Sequence, residues 1–279
     1  MKKRILSTLG LWAIVVIALV TLGATGGILL LAVLGFLAQR ECHELLRRMG
    51  YPPLRSGLIW GPILIISPWV VVKAGGEAGA LSSMITLAAI VVGMILALLA
   101  RPTDPKRPGI IMATLFALLL VPFCLQFLVQ IALMAPVYSS AGLLLVVWVV
   151  AVAKFTDVGG LLIGMKLGRN KLAPAISPGK TREGAVGGIL AAMAVGLLLV
   201  LIIGTPLRDL GLTPLKALLL AFPIAVMAIA SDLVESVIKR QACSKDSGQV
   251  IPGIGGAFDL VDSLLLTAPL AWGLFMLTL

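Results

Sequence analysis

The sequence predicts an all-α fold: a polytopic integral membrane bundle of about nine transmembrane helices with a cytoplasmic N-terminus. Three observations lead there. Of 279 residues, 60% are hydrophobic and 12% charged, at a mean hydropathy of +1.13. A soluble chain of this length cannot hide that much apolar surface. The apolar residues come in runs of roughly 17–25, the length a helix needs to cross a bilayer. Strict alternation of apolar and polar residues is absent, so a closed barrel is excluded and helices remain.

The expected spans lie near 5–22, 24–38, 58–74, 81–100, 109–133, 141–154, 184–204, 215–232 and 258–278. Met1-Lys2-Lys3-Arg4 and the apolar stretch to Ala24 have the outline of a signal peptide. The immediate return to apolar residues after Ala24 favours instead an anchored helical hairpin, turned at Gly23, Gly26 and Gly27. Pro52-Pro53, Gly75-Gly76, Pro102, Pro105, Pro108 and Pro206 mark other ends. Residues 1–150 supply the N-terminal helices and 151–279 a catalytic region with polar loops, in one membrane domain.

Charge placement supports the orientation. With the N-terminus inside, all of the 22 Lys and Arg except Lys73, Arg208 and Lys216 fall on inner segments, as the positive-inside rule requires. Both long polar segments, 154–183 and 233–257, then face the cytoplasm. The net charge of +10 is spread over short loops that would touch anionic lipid, so a nucleic-acid partner is excluded. Cys42, Cys124 and Cys243 have no metal-type spacing and read as small apolar fillers. His43, the single histidine, is expected at the surface.

Of the 12 acidic residues, Glu41, Glu44, Glu77 and Asp104 are expected in loops. The rest lie in the C-terminal half, several at the ends of apolar helices, where a carboxylate is costly unless paired, wet or holding a cation. Asp232 and Glu235 are three apart at the end of one span, and Asp259 and Asp262 three apart at the start of the next, so each pair shares a helical face. One such pair alone would cap a helix or meet a nearby Lys or Arg. Two pairs joined by a short polar segment make an oxygen-rich site suited to a hard cation such as Mg²⁺. Between them run Lys239-Arg240, then Lys245-Asp246-Ser247-Gly248 and Gly255-Gly256, cations and glycine backbone suited to a polyphosphate. Ser177-Pro178-Gly179-Lys180-Thr181-Arg182-Glu183 adds a second anion-friendly cluster before the seventh span. Its Gly-Lys-Thr is not a Walker A element, because Pro174 stands where the first glycine belongs.

The stretch Ser236-x-x-Lys239-Arg240-x4-Lys245-Asp246-x-Gly248-x3-Pro252-Gly253-x-Gly255-Gly256-x2-Asp259-x2-Asp262-Ser263 resembles the signature of the phosphatidate cytidylyltransferase (CDP-diacylglycerol synthase) family. Ser231-Asp232-Leu233-x-Glu235-Ser236, Thr156-Asp157-x-Gly159 and Lys171-Leu172-Ala173-Pro174-x-Ile176-Ser177-Pro178-x-Lys180-Thr181-x-Glu183-Gly184 fit it too. The similarity covers about residues 150–265. Two positions depart from it: Ile254 stands where the family usually has His, and Leu260 where it usually has Arg.

The resemblance implies that CTP and phosphatidic acid give CDP-diacylglycerol and diphosphate, in phospholipid biosynthesis. It further implies that Asp232, Asp259 and Asp262 hold Mg²⁺, beside a second cation such as K⁺. Lys239, Arg240, Lys245 and Asp246 would shape the catalytic phosphate pocket. Ser177, Lys180, Thr181, Glu183, Asp157, Gly255 and Gly256 would serve nucleotide or lipid phosphate, with helix capping an equal role for Asp157. The partners are then CTP, phosphatidic acid and membrane lipid, and the place is the cell's inner membrane with the site facing the cytoplasm. The resemblance is compatible with a homodimer, which nothing in the chain's own pattern demands. Alternatives are a related isoprenoid-lipid cytidylyltransferase or kinase, and a catalytically silent relative that binds lipid or nucleotide. A transporter is disfavoured, since the carboxylates gather at one face and inverted repeats are not visible.

Overall fold

A computed structural model describes residues 2–76, 79–99, 103–135, 141–250 and 255–279, with side-chain surroundings from Ile17 onward except at 20, 79 and 80. Ile254, one of the two departures, lies outside the described residues, as do the side chains of most of the expected first span. Among the described residues, seven helices are long and apolar enough to cross a membrane, and an eighth apolar helix, Gly57–Lys73, is shorter. The polytopic helical class expected from composition is the class found.

The chain forms two compact units, one of residues 1–133 and 238–261, the other of 134–237 and 262–279. The first begins with α1 (Lys2–Arg48), whose helical backbone breaks at Gly23 (φ 55°, ψ −135°). Only glycine adopts that φ freely, so the expected turn falls on the first of the three candidate glycines. Helices α2 (Gly57–Lys73), α3 (Gly79–Leu99), α4 (Arg107–Leu118) and α5 (Cys124–Ala132) follow. A π-helical turn, Leu119–Phe123, joins the last two around Pro122, whose ring cannot accept the regular α-helical ladder.

Leu64, Ile90, Met94, Ile111 and Leu118 form the buried apolar cluster of this unit, with Leu87, Leu98 and Leu115 packed against it. Lipid is as apolar as leucine, so polar and close-packed contacts supply much of helix–helix specificity. Ser83 donates to Gln126 (2.7 Å) and Gln130 donates to both Gln126 (2.8 Å) and Ser83 (3.2 Å), tying α3 to α5. Gln39 donates to the Gly57 carbonyl at 3.0 Å, tying α1 to α2. His43 is buried in α1 rather than exposed, and a Cβ on Gly57 would lie 3.4 Å from its ring. Glu41 and Glu44 also lie on α1 and not in a loop, because α1 runs to Arg48. Cys42 and Cys124 are buried as expected, whereas Cys243 is exposed in the turn that follows Gln241.

The second unit holds α6 (Ala141–Leu167), a hairpin of β1 (Lys171–Ala173) and β2 (Ser177–Thr181), α7 (Arg182–Ile203), the short α8 (Thr205–Arg208) and α9 (Pro214–Gln241) as far as Val237. Its C-terminal piece is a 3₁₀ turn, Asp262–Leu264, and α11 (Thr267–Thr278). Glycines let α6 and α7 approach closely. A Cβ on Gly188 would fall 2.4 Å from the Thr156 carbonyl oxygen, and one on Gly184 2.7 Å from that of Gly160. Trp148 is fully buried, donates from Nε1 to the Gly196 carbonyl at 2.8 Å, and packs at 5.9 Å on Phe275. Helix α6 continues 13 residues past the expected end at 154, so Lys154 and Asp157 lie within a helix and not in the polar loop.

Candidate active site

In the second unit three carboxylates converge. Asp232 and Glu235, one turn apart on α9, and Asp262, first residue of the 3₁₀ turn, each offer an oxygen within 4.8 Å of the others. Glu235 is fully buried. Lysines from two other elements meet the aspartates: Lys154 of α6 reaches Asp262 Oδ1 at 3.0 Å, and Lys180 of β2 forms an ion pair with Asp232 Oδ2. Local bonds fix the carboxylates further. Asp262 Oδ1 accepts from the Ser263 N–H at 2.6 Å. The Ser231 hydroxyl donates to the Asp262 carbonyl and accepts from the Leu266 N–H at 3.1 Å. Ser231 thus pins the 3₁₀ turn to α9 next to Asp232.

Of these side chains, Asp232 and Lys180 border a cavity of about 260 Å³, lined also by Thr156, Asp157, Ser177 and Thr181, with Leu161, Leu172 and Ile229 on its apolar wall. Asp157 sits ten residues before the end of α6, so it does not cap that helix; it faces the cavity. The Ser177–Thr181 cluster lies on β2, paired with β1 through Lys171↔Thr181 and Ala173↔Ser177, and not in an open loop. A two-stranded hairpin tolerates Pro178 because both its strands are edges. β2 runs straight into α7, where the Thr181 hydroxyl accepts from the Gly184 N–H at 3.1 Å and caps the helix. Glu183 accepts from the Arg169 N–H (3.1 Å), the Asn170 N–H (3.2 Å) and Asn170 Nδ2 (2.7 Å). It fastens the approach to β1 and is not among the residues lining the cavity.

The other predicted residues belong to the first unit. Lys239 Nζ lies 2.8 Å from Asp259 Oδ1, while Asp259 Oδ2 accepts from the Ser247 N–H (3.2 Å) and the Gly256 N–H (2.8 Å). Gly255 has φ 130°, and a Cβ there would fall 2.8 Å from Asp259 Oδ2, so both the backbone and the carboxylate require glycine. Arg240, Lys245 and Asp246 are exposed. The helical face expected to join Asp259 to Asp262 is interrupted, since α10 (Ala257–Val261) ends between them and a 3₁₀ turn begins. The structure therefore brings Asp232 and Glu235 together with Asp262, and gives Asp259 a lysine and two backbone donors. Lys154 was not expected in the site, although its place one residue beyond an apolar run at the start of the matching region was a signal for it.

A family model described as "Cytidylyltransferase family" matches residues 2–278. The phosphatidate cytidylyltransferase of Bacillus subtilis (strain 168) is 31% identical over 281 aligned positions, 99% of this chain and 98% of that protein. The uncharacterized protein YnbB of Escherichia coli (strain K12) is 42% identical over 130 residues, 47% of this chain and 42% of its own length. The phosphatidate cytidylyltransferase of Brucella suis biovar 1 (strain 1330) is 42% identical over 131 residues, 47% of this chain and 46% of its own. These last two matches thus span less than half of the relatives' length, whereas the Bacillus match spans nearly all of it.

Proposed function

Because this chain belongs to the cytidylyltransferase family, we propose that it transfers the cytidylyl group of CTP to phosphatidic acid, giving CDP-diacylglycerol and diphosphate. The observation that carries the proposal is the group Asp232, Glu235, Asp262, Lys154 and Lys180, of which Asp232 and Lys180 line the cavity. A phosphate oxygen of the lipid attacks the α-phosphorus of CTP, the bond to the bridging oxygen breaks, and diphosphate leaves. The second pKa of a phosphomonoester is about 6, so the nucleophile is already largely anionic near neutral pH and needs no general base. The protein's task is to hold two anions together and to offset their charge.

Three carboxylates with oxygens this close form a hard-oxygen donor set, and Mg²⁺ fits it. Asp232, Glu235 and Asp262 would hold the ion, which supplies charge neutralisation at phosphate oxygens. Lys154 and Lys180 bring ammonium groups to the carboxylate site, each already held by an aspartate, so little rearrangement is needed to face a polyphosphate. Ser177 adds a hydroxyl and Asp157 an acceptor for a hydroxyl or amino group of substrate. Leu161, Leu172 and Ile229 give the cavity an apolar wall against which a base or an acyl chain can pack. Lys239 and Asp259 serve the same reaction by virtue of the family signature they belong to. The distribution of Lys and Arg supports an inner-membrane protein whose site faces the cytoplasm, where CTP is made available.

The test is purified chain with CTP labelled at the α-phosphate, dioleoyl phosphatidic acid and Mg²⁺. Labelled CDP-lipid is expected, with diphosphate released in equal amount. CTP binding without CDP-lipid would overturn the assignment, and label appearing on an isoprenoid phosphate but not on phosphatidic acid would move it to another lipid.

A further inference from the structure

We propose that Glu41 of α1 is a positioning residue, which anchors the polar segment carrying Asp259 and so fixes the Lys239–Asp259 pair. The inference rests on the role given above to that pair; the contacts that suggest it lie wholly within the first unit. Glu41 is 6% exposed. Its Oε2 accepts from the Ser247 hydroxyl at 2.8 Å and from the Phe258 N–H at 2.9 Å. Phe258 is the second residue of α10, so this N–H is one of the first-turn donors that a helix leaves without an internal partner.

Two glycines make the fit. A Cβ on Gly248 would fall 2.2 Å from Glu41 Oε1, and one on Gly256 2.1 Å from Oε2. The carboxylate therefore occupies the space that side chains at both ends of the segment would otherwise fill. Ser247 and Gly256 also donate their backbone N–H groups to Asp259 Oδ2. The residues that Glu41 holds or packs against are thus the ones that hold Asp259, and Asp259 in turn meets Lys239. Both bonds use Glu41 as acceptor, so the segment docks with its donors turned toward α1.

Glu41 Oε1 has no hydrogen-bond donor among the described residues. A glutamine that puts its carbonyl oxygen in the place of Oε2 would keep both bonds, whereas alanine would lose both and leave a gap. That difference separates positioning from a role for the charge itself.

The experiment compares full-length wild type, Glu41→Ala, Glu41→Gln and Ser247→Ala in detergent, by turnover and by hydrogen exchange of peptides covering 243–260. Glu41→Ala should lower kcat by about 10²-fold, the scale of a misplacement near 1 Å. Its exchange should rise in 243–260 and stay at wild-type level elsewhere. Glu41→Gln should restore both readouts to near wild type, and Ser247→Ala should fall between. Glu41→Gln as slow as Glu41→Ala, with exchange unchanged in both, would overturn the proposal and assign the charge a direct part. Wild-type exchange in Glu41→Ala would also overturn it. If Glu41→Ala does not fold, Ser247→Ala decides by the same two readouts. Exchange is read without turnover, so the anchor is tested even if no CDP-lipid is formed. Localised loosening with full activity would support the anchor while removing Lys239–Asp259 from the reaction.

Discussion

Asp232 and Asp262 in the second unit are held differently from Glu41 in the first, where Asp259, met by Lys239, follows the pattern of the aspartates. In the second, Asp232 and Asp262 are met by lysines, Lys180 and Lys154, whose side chains keep 24% and 35% of their exposure. In the first, Glu41 is met by a neutral hydroxyl and a backbone N–H, with no lysine or arginine paired to it among the described residues. An ion pair to a flexible, half-exposed lysine can be exchanged for one to an incoming anion. A buried carboxylate fixed by neutral donors gains nothing by moving. The contrast separates acids placed to meet substrate charge from an acid placed to hold backbone.

The largest effect that would sharpen this contrast is at Asp232. Asp232→Asn should lower turnover by about 10³-fold while the protein stays monodisperse in detergent; radiolabelled CDP-lipid formation measures it. Turnover within tenfold of wild type would break the assignment of chemistry to the second unit. Lys180→Met should cost about 10²-fold in kcat/KM, and Lys180→Arg should recover part of it because a cation is restored. Steady-state kinetics in CTP and in phosphatidic acid show which substrate Lys180 meets.

Smaller effects fall on packing. Gly188→Leu forces a side chain toward the Thr156 carbonyl, and overpacking of this kind costs about 1–3 kcal/mol; thermal unfolding in detergent should show the loss. Thr181→Ala removes the cap of α7, worth about 1 kcal/mol, and should lower the unfolding midpoint by less than Gly188→Leu does.

Much of the scaffold was legible because bilayer thickness and local glycine and proline chemistry act over short stretches of chain. Gly23 marked the break in α1, and the span ends fell where Gly and Pro cluster. Helix α6 escaped its expected end at 154, because Lys154 and Asp157 look like loop residues and the Asp262 partner of Lys154 is 108 residues away. The hairpin was missed because Pro178 argues against a strand unless that strand is an edge. The pairing of Asp232 with Glu235 followed from helical spacing, and both belong to the carboxylate group found. The place of Asp259 did not follow, since the change from α10 to a 3₁₀ turn has no strong local signal. Glu41 lay furthest from reach: its partners Ser247 and Phe258 are 206 and 217 residues away. Read locally, it is one more acid expected in a loop.

Asp232, Glu235 and Asp262 would together hold one hard cation in the second unit. Titration of the full-length protein with Mn²⁺, followed by its paramagnetic resonance signal without CTP, tests that most directly. Wild type should bind a Mn²⁺ that Mg²⁺ displaces, and Asp262→Asn should weaken it by at least about tenfold, the scale of even an indirect ligand contact. Equal affinity in wild type and Asp262→Asn would contradict the claim.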